Sequence, residues 1–404
     1  MGKSEARKYS RRAFLGTAGA LLGAPALVRL RPPRDKPNLL FLWTDQQRAD
    51  TMRVYGNTRI HTPNLNRLAE ESVVFLNAHV SQPVCTPSRS TVMTGLWPHQ
   101  TGCTENNIPL PEDLPCLPEI LEDPDYRTGY FGKWHLGDEV FAQHGFEEWV
   151  SIEDGYWKYF RPGRDRDAKS TYCHYLRELG YKPDTRRGTY SRTFVSRLPL
   201  EHSKTRFLER NACEFLRRHR HEPFILYVNF LEPHMPYFGP LNDEHSPDEV
   251  TFPPNFDDPL EEDEPLRYRL LRERYRRFGF EGHDLNTREG WRELITNYWG
   301  LVAQVDLCVG GILRTLEDLG LAENTIVVYT SDHGDMMGSH RLLAKTVMYR
   351  ESVQVPWLVR YPRLIRRPLR VRNPVSHIDL MPTLLHLMGK RQDERFPGQS
   401  LLPE

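Results

Sequence analysis

The chain has 404 residues, with 54 Lys and Arg against 54 Asp and Glu, so its formal net charge is zero. This balance argues against the basic surface that nucleic-acid binding uses, and we expect no nucleic-acid partner. Hydrophobic residues make up 39% of the chain and aromatic residues 11%, which excludes a low-complexity disordered protein. Six cysteines are too few for a disulfide-stapled scaffold of this length.

Residues 1–30 have the order of an export signal. Five basic side chains and one acid lie in the first twelve positions, residues 13–28 carry no charge, and Ala24-Pro25-Ala26 offers a cleavage site. Residues 10–15 (Ser-Arg-Arg-Ala-Phe-Leu) resemble the twin-arginine motif. We therefore predict a twin-arginine signal peptide and a periplasmic or secreted protein. Because a spanning helix needs about 20 apolar residues, we expect no membrane span after signal removal.

Apolar runs and helical periodicity alternate along the rest of the chain. In chain order they predict a strand over Leu39–Thr44, a helix over Pro63–Ser72, a weaker strand over Thr128–Phe131, a helix over Lys204–His219, a strand over Phe224–Phe230, a helix over Trp291–Leu319, and strands over Thr325–Thr330 and Val355–Tyr361. Strands that are apolar along their whole length indicate an α/β fold, with a mainly parallel central sheet and helices on both faces. Residues 155–200 and 239–290 do not fit this alternation, and we interpret them as insertions at the rim of the sheet.

Polar side chains follow the predicted strands at the point where each strand ends. Asp45-Gln46 comes after the first strand, Lys133 and His135 after the second, His234 after the third and Asp332-His333 after the fourth. Each has an ordinary alternative, since an Asp after a strand is most often a helix cap and a lone His is most often part of a core. Together they indicate a site, because ligands bind beyond the carboxyl ends of parallel strands.

The segment Cys85–Gly95 contains a cysteine at the predicted start of a helix. Pro87 suits a first helical turn, which places Cys85 at the helix N-terminus, where negative charge is favoured. Arg89 lies one turn further on and can face the same place. A structural cysteine at a helix start is the alternative reading of this pattern by itself.

The pattern Cys-x-Pro-Ser-Arg-x-x-x-x-Thr-Gly, formed by Cys85–Gly95, resembles the signature of the type I sulfatases, which belong to the alkaline-phosphatase superfamily. Other segments fall in that family's order: Asp45-Gln46, Gly132–Gly137, Pro233-His234, Ser331–Asp335 and Lys345 ahead of Tyr349. The resemblance covers residues 37 to 402, and the catalytic domain is expected to span 37–404. It implies an alkaline-phosphatase-like fold.

The resemblance implies that a formylglycine-generating enzyme, a transient partner, converts Cys85 to formylglycine. One hydroxyl of the hydrated aldehyde would attack the sulfur of a sulfate ester and expel the alcohol, and the other would then lose its proton so that the diol collapses back to the aldehyde and releases sulfate. The metal ligands implied are Asp45, Gln46, the modified Cys85, Asp332 and His333. Arg89 would stabilise the diol, Lys133, His234, Lys345 and His340 would bind the sulfate group, His135 would accept the proton that triggers collapse, and His234 would protonate the leaving oxygen.

Two departures from the family pattern affect the metal. Gln46 stands where the family often has an acid, and His333 where it often has Asn. We expect one divalent ion, Ca²⁺ by the resemblance, with Mn²⁺ or Mg²⁺ as alternatives because calcium prefers oxygen ligands.

The same two residues leave other functions open. The Asp-Gln and Asp-His pairs resemble phosphonate monoester and phosphodiester hydrolases that also use formylglycine, and an unmodified, inactive protein that binds sulfated sugars is a third reading. The expected substrate is a sulfated carbohydrate or an aryl sulfate. Arginine-rich stretches such as Arg161–Arg166 and Arg267–Arg277 fit a polyanion, and equally a solvated surface.

Two expectations concern the end of the chain and the cysteines. Residues 397–402 are followed by two more, where relatives continue into a small C-terminal subdomain, so we expect that subdomain to be missing or truncated. Without Cys85 the cysteines are odd in number, and Cys103 with Cys116 is the one disulfide that the sequence suggests.

Overall fold

A sheet of long and short strands forms the centre of the molecule. The computed structural model describes residues 36–390 and 394–402, and the predicted signal peptide lies outside them. The strands of these residues are β1 Asn38–Asp45, β2 Val73–Phe75, β3 Ala78–His79, β4 Arg127–Gly132, β5 Glu148–Ser151, β6 Phe224–Pro233, β7 Thr325–Ser331, β8 Gln354–Val355, β9 Trp357–Arg360, β10 Leu369–Val371 and β11 Val375–Ser376.

The direction of the strands agrees with the predicted fold class. Within the described residues the central sheet has eight strands in the order β10-β2-β9-β7-β1-β6-β4-β5. Neighbouring strands are parallel except where β9 pairs with β2 and with β7. The strands β3, β8 and β11 form a small second sheet. The mainly parallel sheet is therefore confirmed, with β9 reversed.

Helices occupy the connections between the strands. The α-helices of the described residues are α1 Pro63–Glu70, α2 Cys85–Thr94, α3 Pro98–Thr101, α4 Leu117–Leu121, α5 Thr171–Glu178, α6 Arg192–Val195, α7 Lys204–Arg218, α8 Leu266–Phe278, α9 Arg288–Asp318, α10 Arg350–Val353 and α11 Leu380–Leu387. Single 3₁₀ turns lie at Ala49–Thr51, Arg53–Tyr55, Trp157–Tyr159, Leu200–His202, Asn242–Glu244, Pro247–Glu249, Ala322–Asn324, Ser339–Arg341 and His377–Asp379.

Strand β1 shows why helices cover both faces of the sheet. Its side chains are buried at every position, and successive side chains of a strand point to opposite faces. Leu40 and Leu42 join an apolar cluster that includes residues of α7 and α9. Leu39, Phe41 and Trp43 join a second cluster that includes residues of α2 and α11. Both faces of the sheet are thus closed by helices, as the uninterrupted apolar strands predict.

The long helix α9 is a core element. It begins at Arg288, three residues before the predicted start at Trp291. Thr287 caps this end, because its hydroxyl accepts a hydrogen bond from the Gly290 N–H at 3.0 Å. Among the described residues it is the one helix long and apolar enough to cross a membrane, but 89% of its most apolar window is buried within the fold. Its apolar surface is therefore covered by the protein itself.

Two local predictions are wrong. The apolar run Val355–Tyr361 forms two strands rather than one, because Pro356 has no N–H for the ladder and separates β8 from β9. The disulfide between Cys103 and Cys116 is not formed, and every cysteine in the described chain is a free, buried thiol. Both side chains pack in the apolar cluster on the α2 side of the sheet, where the Cys103 thiol lies 3.6 Å from the Ile108 carbonyl oxygen.

The two predicted insertions follow parallel strands that lie on one side of β1. Residues 155–200 come after β5 and contain α5 and α6, and residues 239–290 come after β6 and contain α8. Since β5 and β6 run parallel to β1, both insertions begin at the edge of the sheet where β1 ends. Their position is that expected of segments around a site at the carboxyl ends of the strands.

Candidate active site

Four strands deliver the polar residues singled out in the sequence to one edge of the sheet. Asp45 is the last residue of β1, and Asp332 directly follows β7. Lys133 directly follows β4, and His234 directly follows β6. Because β7, β1, β6 and β4 are consecutive and parallel, their carboxyl ends lie side by side. The topology therefore assembles residues that are far apart in sequence.

The two carboxylate oxygens of Asp45 have different partners. Oδ2 accepts hydrogen bonds from Lys133 Nζ at 2.5 Å and from Arg89 Nη2 at 3.1 Å. Oδ1 lies 3.6 Å from His333 Nε2 and 3.8 Å from Cys85 Sγ. Burial alone would raise the pKa of Asp45, but the positive charges around it, Lys133 first, hold that pKa well below its usual value. Asp45 is thus ionised, with one oxygen left to face Cys85 and His333.

Cys85 occupies the N-terminus of α2, as the sequence predicts. Its side chain is buried, and Sγ lies 3.3 Å from His333 Nε2. Burial and the Asp45 charge raise the pKa of the thiol, whereas the positive charges of Lys345, Lys133 and His333 lower it, and the net result is a pKa of about 7. The surrounding cations therefore stabilise a negative charge on Cys85, and the N-terminus of a helix acts in the same direction.

Arg89 holds both carboxylates of the cluster in place. Its Nε donates to Asp332 Oδ2 at 2.8 Å, and its Nη1 donates to the Lys133 carbonyl at 2.7 Å and to Asn229 Oδ1 at 3.1 Å. The guanidinium is fully buried and lies 4.7 Å from the centre of the Trp43 ring. A guanidinium with this many acceptors is fixed in orientation, and it fixes the carboxylates in turn.

Four of the five proposed metal ligands form a tight group. The ligand atoms of Asp45, Cys85, Asp332 and His333 lie within 4.8 Å of one another, and all four residues are buried. His333 Nδ1 lies 3.0 Å from the Gly334 carbonyl, to which it can donate, so that Nε2 keeps a lone pair facing the group. Two carboxylates and an imidazole nitrogen are a donor set that fits a divalent cation.

Gln46 lies beside this group with its amide fixed. Its Oε1 accepts a hydrogen bond from Lys345 Nζ at 2.5 Å, and its Nε2 donates to Asp335 Oδ2 at 2.6 Å and to the Tyr237 hydroxyl at 2.7 Å. The amide oxygen therefore points towards Lys345, whose Nζ lies 3.8 Å from Asp45 Oδ1. This arrangement places Gln46 and Lys345 next to the predicted metal ligands.

His135 lies in the loop after β4 with one ring nitrogen engaged. Its Nε2 lies 2.9 Å from Asn107 Oδ1, and its buried Nδ1 has no hydrogen-bond partner among the described residues. Burial, and then the positive charge of Lys133, hold the pKa of His135 well below its usual value. The neutral ring that donates to Asn107 through Nε2 therefore has Nδ1 free to accept a proton.

Glu139 fixes the backbone of the same loop. Its two carboxylate oxygens accept the N–H of Trp134 at 2.8 Å and the N–H of His135 at 2.6 Å. Burial raises the pKa of Glu139 to about 7. Since His135 has a positive φ of 58°, these bonds hold a backbone conformation that a non-glycine residue rarely adopts.

The insertion over 155–200 adds residues that the sequence reasoning missed. The Tyr156 ring lies 4.3 Å from the His135 ring, and the Tyr156 hydroxyl accepts a hydrogen bond from Arg192 Nη2 at 2.9 Å. Arg192 Nε donates at 2.8 Å to the buried Glu153, which also pairs with Lys204 at the start of α7. No motif marks Tyr156 and Arg192, and their position inside the predicted insertion is the one signal that pointed to them.

The structure places the other two predicted histidines differently. His234 Nδ1 lies 2.7 Å from the Met235 carbonyl, and burial, followed by Lys345, holds the pKa of His234 well below its usual value. His340 instead stacks on Tyr349 with ring centres 4.3 Å apart and contacts Asn255 Nδ2 at 3.1 Å. Within the described part of the chain, no hydrogen bond or ion pair joins His340 to the Asp45 cluster, the group formed by Asp45, Cys85, Asp332 and His333.

Comparison with known proteins identifies the class that this fold and site define. The family model described as Sulfatase matches residues 37–390, and the chain belongs to the sulfatase family. The chain is 30% identical to an ulvan-active sulfatase of Formosa agariphila over 372 residues, which cover 91% of this chain and 64% of the relative. It is 27% identical over 425 residues to an N-acetylglucosamine-6-O-sulfatase of Bacteroides thetaiotaomicron, with coverages of 91% and 70%.

A solved structure shows the same fold. A phosphonate monoester hydrolase from Silicibacter pomeroyi superposes with a TM-score of 0.75 at 23% identity, covering 91% of this chain and 76% of that chain. The α/β fold with a mainly parallel central sheet is therefore the alkaline-phosphatase-like fold that the sequence resemblance implies.

Proposed function

We propose that this protein hydrolyses sulfate esters through a formylglycine made from Cys85. The observation that carries the proposal is the position of Cys85 at the N-terminus of α2, 3.3 Å from His333 Nε2 and 3.8 Å from Asp45 Oδ1. Formylglycine at this position would supply a hydroxyl nucleophile once water has added to its aldehyde. A divalent cation held by Asp45, Asp332 and His333 supplies Lewis-acid polarisation.

The remaining residues bind the sulfate group and move protons. Lys133 and Lys345 flank Asp45 from two sides, and their ammonium groups neutralise the oxygens of a bound sulfate. His135 Nδ1 is free to accept a proton. His234 Nδ1 is engaged by the Met235 carbonyl, so Nε2 is left to face the leaving oxygen, and the negative charge of a bound sulfate ester would raise the pKa of this ring so that Nε2 carries the proton to be delivered. We thus assign a residue of this chain to each step of the proposed hydrolysis.

A sulfated carbohydrate is the substrate class that we propose. The relatives in the comparison include a sulfatase named for ulvan and one named for N-acetylglucosamine 6-O-sulfate, which supports this choice. The pair of Tyr156 and Arg192 beside His135 also fits a sugar, because an aromatic face and a guanidinium suit a ring that carries anionic groups.

Hydrolysis of phosphonate monoesters or phosphodiesters is the second candidate. Gln46 and His333 favour it, since both replace the residues that sulfatases often have. An unmodified, inactive protein that binds sulfated sugars is the third candidate, and it requires that Cys85 remain a thiol.

Peptide mass spectrometry separates the third candidate from the first two. The protein is expressed with a formylglycine-generating enzyme and digested with trypsin, and the peptide of residues 68–89 contains Cys85. We expect the mass of an aldehyde in place of the thiol. The peptide of residues 90–127, which contains Cys103 and Cys116, is the internal control and should keep both thiols. An intact Cys85 thiol beside a converted control sulfatase would leave the binding protein as the function.

Paired substrates separate the first two candidates. Turnover of 4-nitrophenyl sulfate is compared with that of phenyl methylphosphonate and of bis(4-nitrophenyl) phosphate, with Cys85→Ala as the blank. We expect the sulfate ester to have the highest kcat/KM. A phosphonate or phosphodiester turned over faster than the sulfate would make the second candidate the function.

The proposed metal is Ca²⁺, with Mn²⁺ or Mg²⁺ as alternatives, and elemental analysis of the purified protein decides among them. Because His333 offers a nitrogen ligand, His333→Asn should shift the metal content of the purified protein towards Ca²⁺. An unchanged metal content would remove His333 from the ligand set.

Export by the twin-arginine pathway is the proposed localisation. Replacing Arg11 and Arg12 by Lys should keep the protein in the cytoplasmic fraction, whereas the unchanged signal should deliver it to the periplasm or medium. Equal export of both forms would contradict this route.

A further inference from the structure

A second group of metal-ligating side chains lies outside the proposed active site. The ligand atoms of Cys116, Glu119 and His144 lie within 4.8 Å of one another. Cys116 and His144 are buried, whereas the Glu119 side chain is 34% exposed. None of the three takes part in the Asp45 cluster. The group is therefore enclosed by protein and open to solvent on the Glu119 side.

Local structure explains why the three residues meet. Cys116 directly precedes α4, and Glu119 is the third residue of that helix, where its Oε2 accepts the Cys116 N–H at 2.9 Å. The chain at His144 and Gly145 passes close to this turn, since a Cβ at Gly145 would stand 3.0 Å from side-chain atoms of both Pro118 and Glu119. Gly145 permits this approach, and His144 itself has a positive φ of 52°.

His144 is the member of the group that lacks partners. His144 is 7% exposed, and neither of its ring nitrogens makes a hydrogen bond within the described chain. Nδ1 lies 3.4 Å from Glu119 Oε2 without the geometry of a hydrogen bond. Burial lowers the pKa of His144 although Glu119 opposes this, so the ring is held towards the neutral form that has a lone pair to donate. A buried imidazole whose ring nitrogens make no hydrogen bond is costly unless a ligand engages it.

The chemistry of the three donors selects the ion. We propose that Cys116, Glu119 and His144 bind a Zn²⁺ ion, with a water molecule as fourth ligand on the exposed side of Glu119. Thiolate, imidazole and carboxylate are the three ligand types that Zn²⁺ takes in proteins, usually in tetrahedral geometry. Ca²⁺ and Mg²⁺ prefer all-oxygen shells and do not fit a thiolate. Binding releases the thiol proton of Cys116 to solvent.

The ion would restrict the movement of the loop after β4, which carries the proposed active-site residues Lys133 and His135. The His144 ring lies 5.7 Å from the ring of Trp134, which stands between Lys133 and His135 in the chain. A Zn²⁺ that ties His144 to the turn at Cys116 would therefore limit movement of Trp134. The Zn²⁺ site stands on its own geometry, whether or not the protein hydrolyses sulfate esters.

Cobalt absorption tests the site directly. The full-length protein carrying Cys85→Ala, which removes the thiolate of the other cluster, is freed of metal with a chelator and titrated with Co²⁺. We expect a thiolate-to-Co²⁺ charge-transfer band in the near ultraviolet that saturates by two equivalents, because Asp45, Asp332 and His333 can take a second ion without contributing a thiolate. The band should disappear in Cys85→Ala/Cys116→Ala and persist in Cys85→Ala/Cys103→Ala, the matched control with another buried cysteine removed. No band in Cys85→Ala, or an equal band without Cys116, would overturn the proposal.

A second variant decides the matter if loss of Cys116 impairs folding. His144→Gln keeps the thiol and should weaken Zn²⁺ binding by at least about tenfold, measured by calorimetry in the Cys85→Ala protein. Zn²⁺ should also raise the melting temperature of Cys85→Ala more than that of Cys85→Ala/His144→Gln. Equal affinities and equal shifts would likewise overturn the proposal.

Discussion

At the scale of single residues, the two carboxylate oxygens of Asp45 contact different partners, and these contacts define the centre of the site. Oδ2 is committed to Lys133 and Arg89, and Oδ1 faces Cys85 and His333. A carboxylate buried in this way is stable only while its cations remain, because the desolvation of the charge must be offset by close partners. Changes to those partners should therefore affect both turnover and stability.

Lys133→Met should reduce turnover by at least about 100-fold, the effect typical of removing one positioned charge from a reaction centre. It should also lower the melting temperature, since Asp45 Oδ2 loses its partner at 2.5 Å and keeps only Arg89. Sulfate-ester kinetics and thermal unfolding measure the two effects. Lys182→Met, at an exposed position, is the control and should change neither. A variant with near wild-type rates would remove Lys133 from the proposed site.

His234→Ala should lower kcat/KM by different factors on substrates with poor and with good leaving groups. If His234 Nε2 protonates the leaving oxygen, the loss of kcat/KM on an unactivated alkyl or sugar sulfate should exceed that on 4-nitrophenyl sulfate by at least about tenfold, because nitrophenolate leaves without a proton. Steady-state kinetics on both substrates make the comparison within one variant. Equal losses would count against the acid role and leave His234 as a sulfate-binding residue.

At the scale of elements, the backbone near Leu241 packs directly against the backbone of helix α9. Gly300 lies in the middle of this helix, and a Cβ there would stand 2.3 Å from the Leu241 carbonyl oxygen. The glycine thus allows the insertion over 239–290 to begin directly against the core helix. An approach between two backbones cannot be relieved by moving a side chain.

Gly300→Ala should therefore destabilise the protein, although alanine is the better helix former by about 1 kcal/mol. The clash should cost about 1–3 kcal/mol of unfolding free energy, as overpacking in a core commonly does. Urea denaturation measures the difference. Gly155→Ala is the control, because no atom lies within 4 Å of where its Cβ would stand. Stabilisation by Gly300→Ala would show that the Leu241 segment can move away.

At the scale of the whole molecule, His377 connects the small sheet to the central one. It follows β11, and its Nε2 lies 2.9 Å from the Thr330 hydroxyl of β7, next to the Trp357 ring of β9. Burial lowers the pKa of His377 to about 3, and its Nδ1 has no hydrogen-bond partner in residues 36–390 or 394–402. Protonation of this ring would place an uncompensated charge between the two sheets.

Acid should therefore destabilise the fold through His377. The unfolded chain binds a proton near pH 6.5 and the folded chain only near pH 3, so the stability is fully present above about pH 6.5 and is lost as pH falls towards 3, by at most about 5 kcal/mol. His377→Gln should flatten the decline of unfolding free energy across this range, measured by denaturation at several pH values. His99→Gln, at an exposed position, should not. Equal slopes for wild type and His377→Gln would contradict the assignment.

Much of the architecture could be predicted because buried strands and helices leave recognisable patterns of apolar residues in the sequence. The central strands β1, β6 and β7 are buried along their length and read as apolar runs, and the stripe of α9 repeats over many turns. Their polar ends then predicted one site, since parallel strands end at a common edge. The single-strand prediction across Pro356 was wrong because an apolar run does not show a change of sheet.

The chain by itself determined the family and the residues of the Asp45 cluster, because Cys85–Gly95 and the residues after the strands are short local patterns. Only the tertiary structure decided which side chains meet across long separations, such as Tyr156 and Arg192 beside His135, or His144 beside Cys116. It also placed His340 against Tyr349 and kept Cys103 and Cys116 apart as free thiols. Such contacts depend on the path of loops between strands, and neither hydrophobic period nor motif spacing records that path.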